Sequence, residues 1–307
     1  MRNPRVKALS ISQPVFDMVK RGGLTVRVFA NYHHACNLVT SEEEIIALVS
    51  PAIGNGPLNI VIEEIGILQH VKPGLLVVFS DEQPGLGGSL VVSLDGAQLW
   101  RPEVNWKCLT THRRRLEDNF AALCSWLSQN DIAKGLLGLV LDGEKEPGAC
   151  EDGTHSLHNL AFLAMARVGI KGLLQALQYG DQLSIRENAA LLTGLGTGLT
   201  PAGDDYLVGL MAGLRVWPSS LSNSGLSPDD ACQIIFEVAK GRTTLLSRVF
   251  LHSAREGLFG ENWHRLLVEL ARGEAIGIQQ AARRILASGA TSGADALAGF
   301  LSPYLWR

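Results

Sequence analysis

Thr193-Gly-Leu-Gly-Thr-Gly-Leu-Thr-Pro-Ala-Gly-Asp-Asp205 runs straight into Tyr206–Leu214, an apolar stretch with helical spacing. Glycines at 194, 196 and 198 permit tight turns and present bare backbone N–H groups. Thr200 suits a helix N-cap and Pro201 the first helical position. The stretch therefore reads as a glycine-rich loop feeding a helix N-terminus, an arrangement that attracts phosphate or carboxylate. Asp204 and Asp205 fall in the first turn of that helix, where they could hold a metal ion, orient a donor group or complement the helix dipole.

A partial echo of this stretch lies near the C-terminus. Gly203-Asp-Asp-Tyr-Leu-Val-Gly209 and Gly293-Ala-Asp-Ala-Leu-Ala-Gly299 share Gly, Asp, Leu and Gly at equal offsets, so that Asp205 matches Asp295 and Gly209 matches Gly299. Hydroxyl-bearing residues precede each, Thr200 in one case and Thr291-Ser292 in the other. Two such helices could aim their N-termini at one cavity. The plainer reading makes both of them capped helix starts whose small residues allow close packing, and it is favoured for the echo taken alone. Gly209 and Gly213 likewise make a Gly-x-x-x-Gly that in a soluble chain signals close helix packing.

Working outward, the segments before residue 105 are strand-like and those after it helical. Val6–Ser12, Leu24–Ala30, Leu58–Ile67, Leu75–Ser80 and Ser89–Leu94 have strand length and β-branched content. Ser41–Val49, with Ser41 and Glu44 in a capping-box pattern, is the one helix expected among them. Helices are expected at Glu117–Gln129, His155–Val168, Ile170–Tyr179, Ile185–Leu192, Asp204–Val216, Pro228–Ala239, Thr244–Glu256, Asn262–Arg272, Ile276–Ser288 and Asp295–Leu301, and an exposed loop at 142–154. The fold class is α+β: a β-rich N-terminal half, residues 1–110, followed by a mainly helical C-terminal half, residues 111–307, that carries the glycine-rich loop. Strict βαβ alternation is missing, which argues against a doubly wound sheet.

Composition narrows the function classes. The 307 residues carry a net charge of −3, which removes the broad basic surface of a nucleic-acid binder. With 46% hydrophobic residues the chain has enough for a sizeable core. No stretch approaches the ~20 apolar residues of a membrane span, so no membrane partner is expected. Five cysteines, widely spaced and without a Cys-x-x-Cys pair, suit a reduced, cytoplasmic protein with incidental thiols. His33-His34 and His155-x-x-His158 lack the further ligands zinc requires.

Other polar residues suit the same anion chemistry. Thr243, Thr244, Ser247 and Arg248 open a second helix, and Arg242 and Arg248 carry guanidinium forks that clamp oxyanions, although a capped helix with one polar face explains them equally well. Phosphate or substrate binding is thus assigned to Gly194, Gly196, Thr197, Gly198, Thr200, Gly203, Thr243, Ser247, Ser292 and Gly293. The catalytic candidates are Asp204, Asp205 and Asp295. Asp204 and Asp205 are also the metal candidates, with Mg²⁺ the ion they would take. No Walker-type lysine follows the loop, and no Gly-x-Ser-x-Gly or His-Glu-x-x-His occurs.

Gly194-Leu-Gly-x-Gly-Leu-Thr-Pro-x-Gly-Asp-Asp205, with Leu207 and Gly209, resembles the signature of the bacterial family of the AllH subunit of oxamate carbamoyltransferase. The Thr243-Thr244/Ser247 helix with Ala254 and Gly257, Thr291-Ser-Gly-x-Asp295-x-Leu-x-Gly299, Gly56-Pro57 and Trp100-x-Pro102 are similar too. The resemblance implies a multi-subunit enzyme of anaerobic allantoin and purine catabolism, with an acyl-CoA-synthetase-like (FdrA-type) subunit and a third subunit as partners. The implied reaction moves a carbamoyl group between carbamoyl phosphate and oxamate, giving or consuming oxalurate. The resemblance assigns no catalytic residue, so the candidates above stand on the residues themselves. Two other readings stay open from the residues: an ATP-dependent small-molecule kinase whose phosphate loop is Gly194–Thr197, and a non-catalytic metabolite-binding subunit. A homo-oligomer is compatible with each of them.

Overall fold

The computed structural model describes residues 5–22, 24–64, 66, 68, 71–79, 90–111, 113–130, 134–141 and 157–306. The chain forms two compact units, Met1–Val104 with Leu258–Glu261, and Asn105–Gly257 with Asn262–Arg307. The class is α+β, β-rich first and helical second.

In the first unit eight strands share one sheet: β1 (Arg5–Ser12), β2 (Val26–Asn31), β3 (Ala35–Thr40), β4 (Ile45–Val49), β5 (Asn59–Ile62), β6 (Leu76–Phe79), β7 (Leu90–Ser93) and β8 (Gln98–Trp100). Their order is β5-β4-β3-β2-β6-β7-β1-β8, and antiparallel pairing of β1 with β5 closes seven of them into a barrel. Closure removes the unpaired edges that an open sheet would leave. On its other side β1 pairs in parallel with β7 through Arg5–Lys7 and with β8 through Ser10–Ser12. Val26, Leu38, Ile46, Leu48, Ile60 and Ile62 fill the interior. A short helix, α1 (Gln13–Lys20), follows β1; the Ser12 hydroxyl caps it by accepting from Val15 N. Leu258–Glu261 joins this unit by a Glu103–Leu258 bridge and by Glu261 Oε2, which accepts from Asn55 N at 3.1 Å and Asn55 Nδ2 at 3.0 Å.

Two expectations for this half need correction. The helix expected at Ser41–Val49 is instead a turn and strand β4. The Thr40 hydroxyl accepts from Glu42 N and Glu44 N, Glu43 takes a left-handed φ of 62°, and Ile45–Val49 is buried between β3 and β5. A run paired along both edges and buried on both faces outweighs a local capping pattern. Strands β3 and β8 and helix α1 were not expected either: β8 and α1 are too short to carry a periodic signal, and β3 does not alternate, Cys36, Asn37 and Leu38 all being buried.

The second unit contains α2 (Trp106–Thr110), α3 (Arg113–Gln129), α4 (Leu136–Leu141), α5 (Leu157–Tyr179), α6 (Gln182–Leu192), α7 (Ala202–Val216), α8 (Pro228–Ala239), α9 (Leu245–Arg255), α10 (Glu261–Arg272, its first residue counted with the barrel), α11 (Ala275–Leu286) and α12 (Ser292–Leu305). The two helices expected within 155–179 are one, α5, because Gly169 sits mid-helix against Leu192 and ends nothing. Contrary to the sequence expectation, Leu160–Tyr179 of α5 is long and apolar enough to span a membrane, with mean hydropathy 1.5. Leu173, Leu174 and Leu177 of this helix are core of the helical unit, while Leu160, Met165, Val168 and Tyr179 are exposed. The loop expected at 142–154, together with His155, lies outside the described residues.

At the centre of this unit, α7 and α12 pack side by side and almost fully buried. A Cβ on Gly209 would overlap the carbonyl oxygen of Ala296, and one on Gly299 would overlap that of Tyr206. The echo aligns Gly209 with Gly299 and Tyr206 with Ala296, so the two contacts are equivalent, one made by each helix on the other. Gly213 meets Phe300 O and Pro303, its own counterpart in the echo, so the helices run in the same direction. Only glycine lets two backbones approach this closely. Beyond the pair, Phe120 meets Trp217 edge to face and Phe300 at a tilt, with ring centroids 4.9 and 5.1 Å away.

Candidate functional site

Because α7 and α12 are parallel, their N-termini emerge at the same end of the pair. The two entry segments touch there: Thr200 Oγ1 and Ser292 Oγ lie 3.1 Å apart and share a hydrogen bond. Thr200 was expected to cap α7, but Pro201 occupies the cap position and no side chain caps the helix. Freed from capping, the Thr200 hydroxyl crosses to α12.

The three candidate aspartates have different surroundings. Asp204 is 1% exposed and both its oxygens are engaged: Oδ1 accepts from Gly194 N at 2.9 Å, and Oδ2 accepts from the Thr243 hydroxyl. Burial raises its pKa, while Thr243, Gly194 and the nearby Ser247 hydroxyl pull the other way. Its carboxylate ties the glycine-rich loop and the start of α9 to α7. Thr244 completes the tie. Its hydroxyl donates to Leu199 O at 2.6 Å and caps α9 by accepting from Ser247 N at 3.1 Å.

Asp205 and Asp295 each keep a buried Oδ2 with no hydrogen-bond partner among the described residues. Asp295 is 0% exposed, and its Oδ1 accepts from Leu136 N at 2.7 Å, capping α4 from 159 residues away in sequence. Burial pushes its pKa up. The Asp205 carboxyl is pushed up to about 8, first by burial and then by the charges of Asp295 and Asp204, against the opposing pull of the Ser292 and Thr200 hydroxyls. Two carboxyls at matching positions of matching helices thus feel one another across the pair.

The loop itself divides. Gly194 N is used by Asp204, and Gly203 N closes the loop onto Leu195 O at 2.9 Å. Gly203 and Gly293 are packing residues, since a Cβ on either would overlap the carbonyl of Leu192 or Ile285 on the preceding helix. By contrast Gly196, Thr197, Gly198 and Leu199 are exposed, and no N–H from Gly196 to Thr200 has a partner among the described residues. Gly196 and Gly198 take φ of 115° and 98°, the left-handed range glycine tolerates. Successive free N–H groups of this kind form an anion-binding concavity.

The structure therefore brings together Gly194–Thr200, Asp204, Asp205, Thr243, Ser247, Ser292, Gly293 and Asp295. Arg242 is exposed and meets the loop through its backbone carbonyl beside Gly194, while Arg248 lies on α9. Among the described residues no three His, Cys, Asp or Glu side chains are grouped as metal ligands. Cys36, Cys124 and Cys232 are free thiols, burial raising each to about 11, and none belongs to this cluster. Sequence reasoning missed Gly135 and Leu136. Gly135 adopts a φ of 57° where a Cβ would overlap Asp295 Oδ1, and only its glycine identity hinted at this.

Two family models match the chain. The model for the oxamate carbamoyltransferase subunit AllH covers residues 192–303, which spans the loop, α9 and both matched helices. The model for the AllH family N-terminal domain covers residues 7–99, the barrel strands. The chain belongs to the AllH family. No solved structure matches it. An AllH chain is by its description a subunit, so the enzyme it serves contains other subunits.

Proposed function

We propose that this chain is the subunit of an oxamate carbamoyltransferase-type enzyme that holds the reacting groups, transferring a carbamoyl group between carbamoyl phosphate and a small acid amide such as oxamate. The observation that carries this reading is the run of N–H groups from Gly196 to Thr200 without a partner among the described residues, beside two helix N-termini whose entry segments touch. Free amides and helix dipoles favour a phosphate or carboxylate there. In transfer toward oxalurate the acceptor's amide nitrogen forms a bond to the carbamoyl carbon and loses a proton, while the carbon–oxygen bond to phosphate breaks and the departing phosphate takes up that proton. The loop amides would stabilise charge growing on the departing phosphate, and the Thr200 and Ser292 hydroxyls would orient it. The rate advantage then comes from positioning and preset electrostatics.

The family assignment supports the subunit role, and the clustering of the loop with Asp204, Asp205 and Asp295 supports a site in this chain. The reading places the protein in the cytoplasm with an FdrA-type subunit and a third subunit. Titration of the assembled enzyme with carbamoyl phosphate, phosphate and ATP tests it. Binding of carbamoyl phosphate that is lost in Gly198→Val supports the reading; ATP turnover by the isolated chain would overturn it.

A further inference from the structure

Asp204 and the Asp205–Asp295 pair differ in what their buried oxygens do. Asp204 has both oxygens engaged within the protein, which makes it a structural tie. Asp205 and Asp295 each leave Oδ2 buried and without a partner among the described residues, at equivalent positions of α7 and α12. A buried, unpaired carboxylate oxygen costs more than one that receives a donor. The protein holds one on each of two helices whose entry segments touch through Thr200 and Ser292, and the reciprocal glycine packing of those helices leaves them little freedom to move apart. Gly135, which has no room for a Cβ, fixes the Asp295 carboxyl further by letting Leu136 N reach its Oδ1.

Two acceptors on separate, rigid elements call for a ligand group with two donors. We propose that the Oδ2 atoms of Asp205 and Asp295 form a two-pronged acceptor for the primary amide NH₂ of the acceptor substrate. This rests on the carbamoyltransferase reading and deepens it by assigning the amide subsite and the class it selects, unsubstituted small acid amides. The loop N–H groups of 196–200 would hold the anion, and the two carboxyls the amide nitrogen. The two functions thus fall to opposite chemistries, donors on the loop and acceptors on the helix pair. A secondary amide offers one N–H and leaves one prong empty.

The test uses the assembled enzyme with this chain at full length above pH 8, where the Asp205 carboxyl is ionised and can only accept, and measures binding of oxamate and of N-methyloxamate to the wild type, Asp205→Asn and Asp295→Asn. Asparagine keeps the shape and, at position 295, an oxygen for Leu136 N, and thermal melting confirms that each variant is folded. The wild type should prefer oxamate by ~10–100-fold, the cost of one unmet buried partner. Either substitution should compress that preference to about threefold or less, while phosphate affinity stays unchanged. A preference that survives in both variants reflects steric exclusion of the methyl group elsewhere and would overturn the proposal. So would tight binding of Mg²⁺ alone that disappears in both variants, which would make the pair a cation site. If the wild-type enzyme binds phosphate but no oxamate at all, the carbamoyltransferase reading itself fails, an outcome distinct from either of these.

Discussion

Asp204 and Asp205 are neighbours in sequence with opposite fates. Asp204 closes the loop, so Asp204→Asn should cost about 1–3 kcal/mol as a charge-assisted hydrogen bond to Gly194 N is weakened, read as a lower melting temperature. Asp205 should behave otherwise. Its folded pKa of about 8 lies above the ordinary 3.8, so between those values the folded protein holds a proton the unfolded chain has lost. Its contribution to stability is therefore complete below about pH 4 and lost as pH rises toward 8. Asp205→Asn cannot ionise, so the melting temperature at pH 8 should rise relative to wild type and its fall between pH 5 and 8 should flatten. A parallel pH dependence in wild type and variant would contradict this. Gly198 supplies the loop counterpart. Open space surrounds its missing Cβ while its φ is 98°, so Gly198→Ala strains only the backbone. It should weaken phosphate binding several-fold in calorimetry with little loss of fold.

At the scale of elements, the parallel pair of α7 and α12 sets the geometry of everything at its N-terminal end. Gly209→Ala and Gly299→Ala each push a methyl group into the facing backbone carbonyl. Each should destabilise the protein by about 1–3 kcal/mol or more, an overpacking cost that denaturant midpoints would measure. The two contacts are reciprocal, so the double variant should cost less than the sum once the helices have moved apart. Such a shift should also reduce ligand binding although neither glycine touches the site. Gly241 makes a control, since nothing lies within 4 Å of its missing Cβ.

At the scale of the whole molecule, the family description calls the chain a subunit, and its helical unit exposes apolar side chains such as Val168 on α5 and Leu183 on α6, 62% and 68% exposed. Purified alone, the protein should show negligible carbamoyl transfer. Co-expression with its neighbouring genes should give a larger species in size-exclusion chromatography, together with turnover. Full activity from the isolated chain, or a monomer that ignores those neighbours, would refute the subunit role proposed for it.

Much of this was legible in the residues. The division into strands and helices follows from β-branched runs bounded by turns and from long apolar periodicities, which depend on neighbours a few residues away. The glycine-rich loop and its aspartates announced themselves by composition, and the echo at 293–299 by spacing. Sequence could not decide whether that echo meant anything, because spacing says nothing about whether two helices meet. Packing decided it: Gly209 against Ala296 and Gly299 against Tyr206 put the two N-termini together. Packing also turned Ser41–Val49 from a capped helix into a strand, since burial between two strands outweighed a local cap. It separated Asp204, whose oxygens are filled by Gly194 and Thr243, from Asp205 and Asp295, whose Oδ2 atoms are not. Local sequence determined which residues could carry charge and turn the chain; only tertiary contacts, some of them 159 residues apart, decided which of those charges were already satisfied.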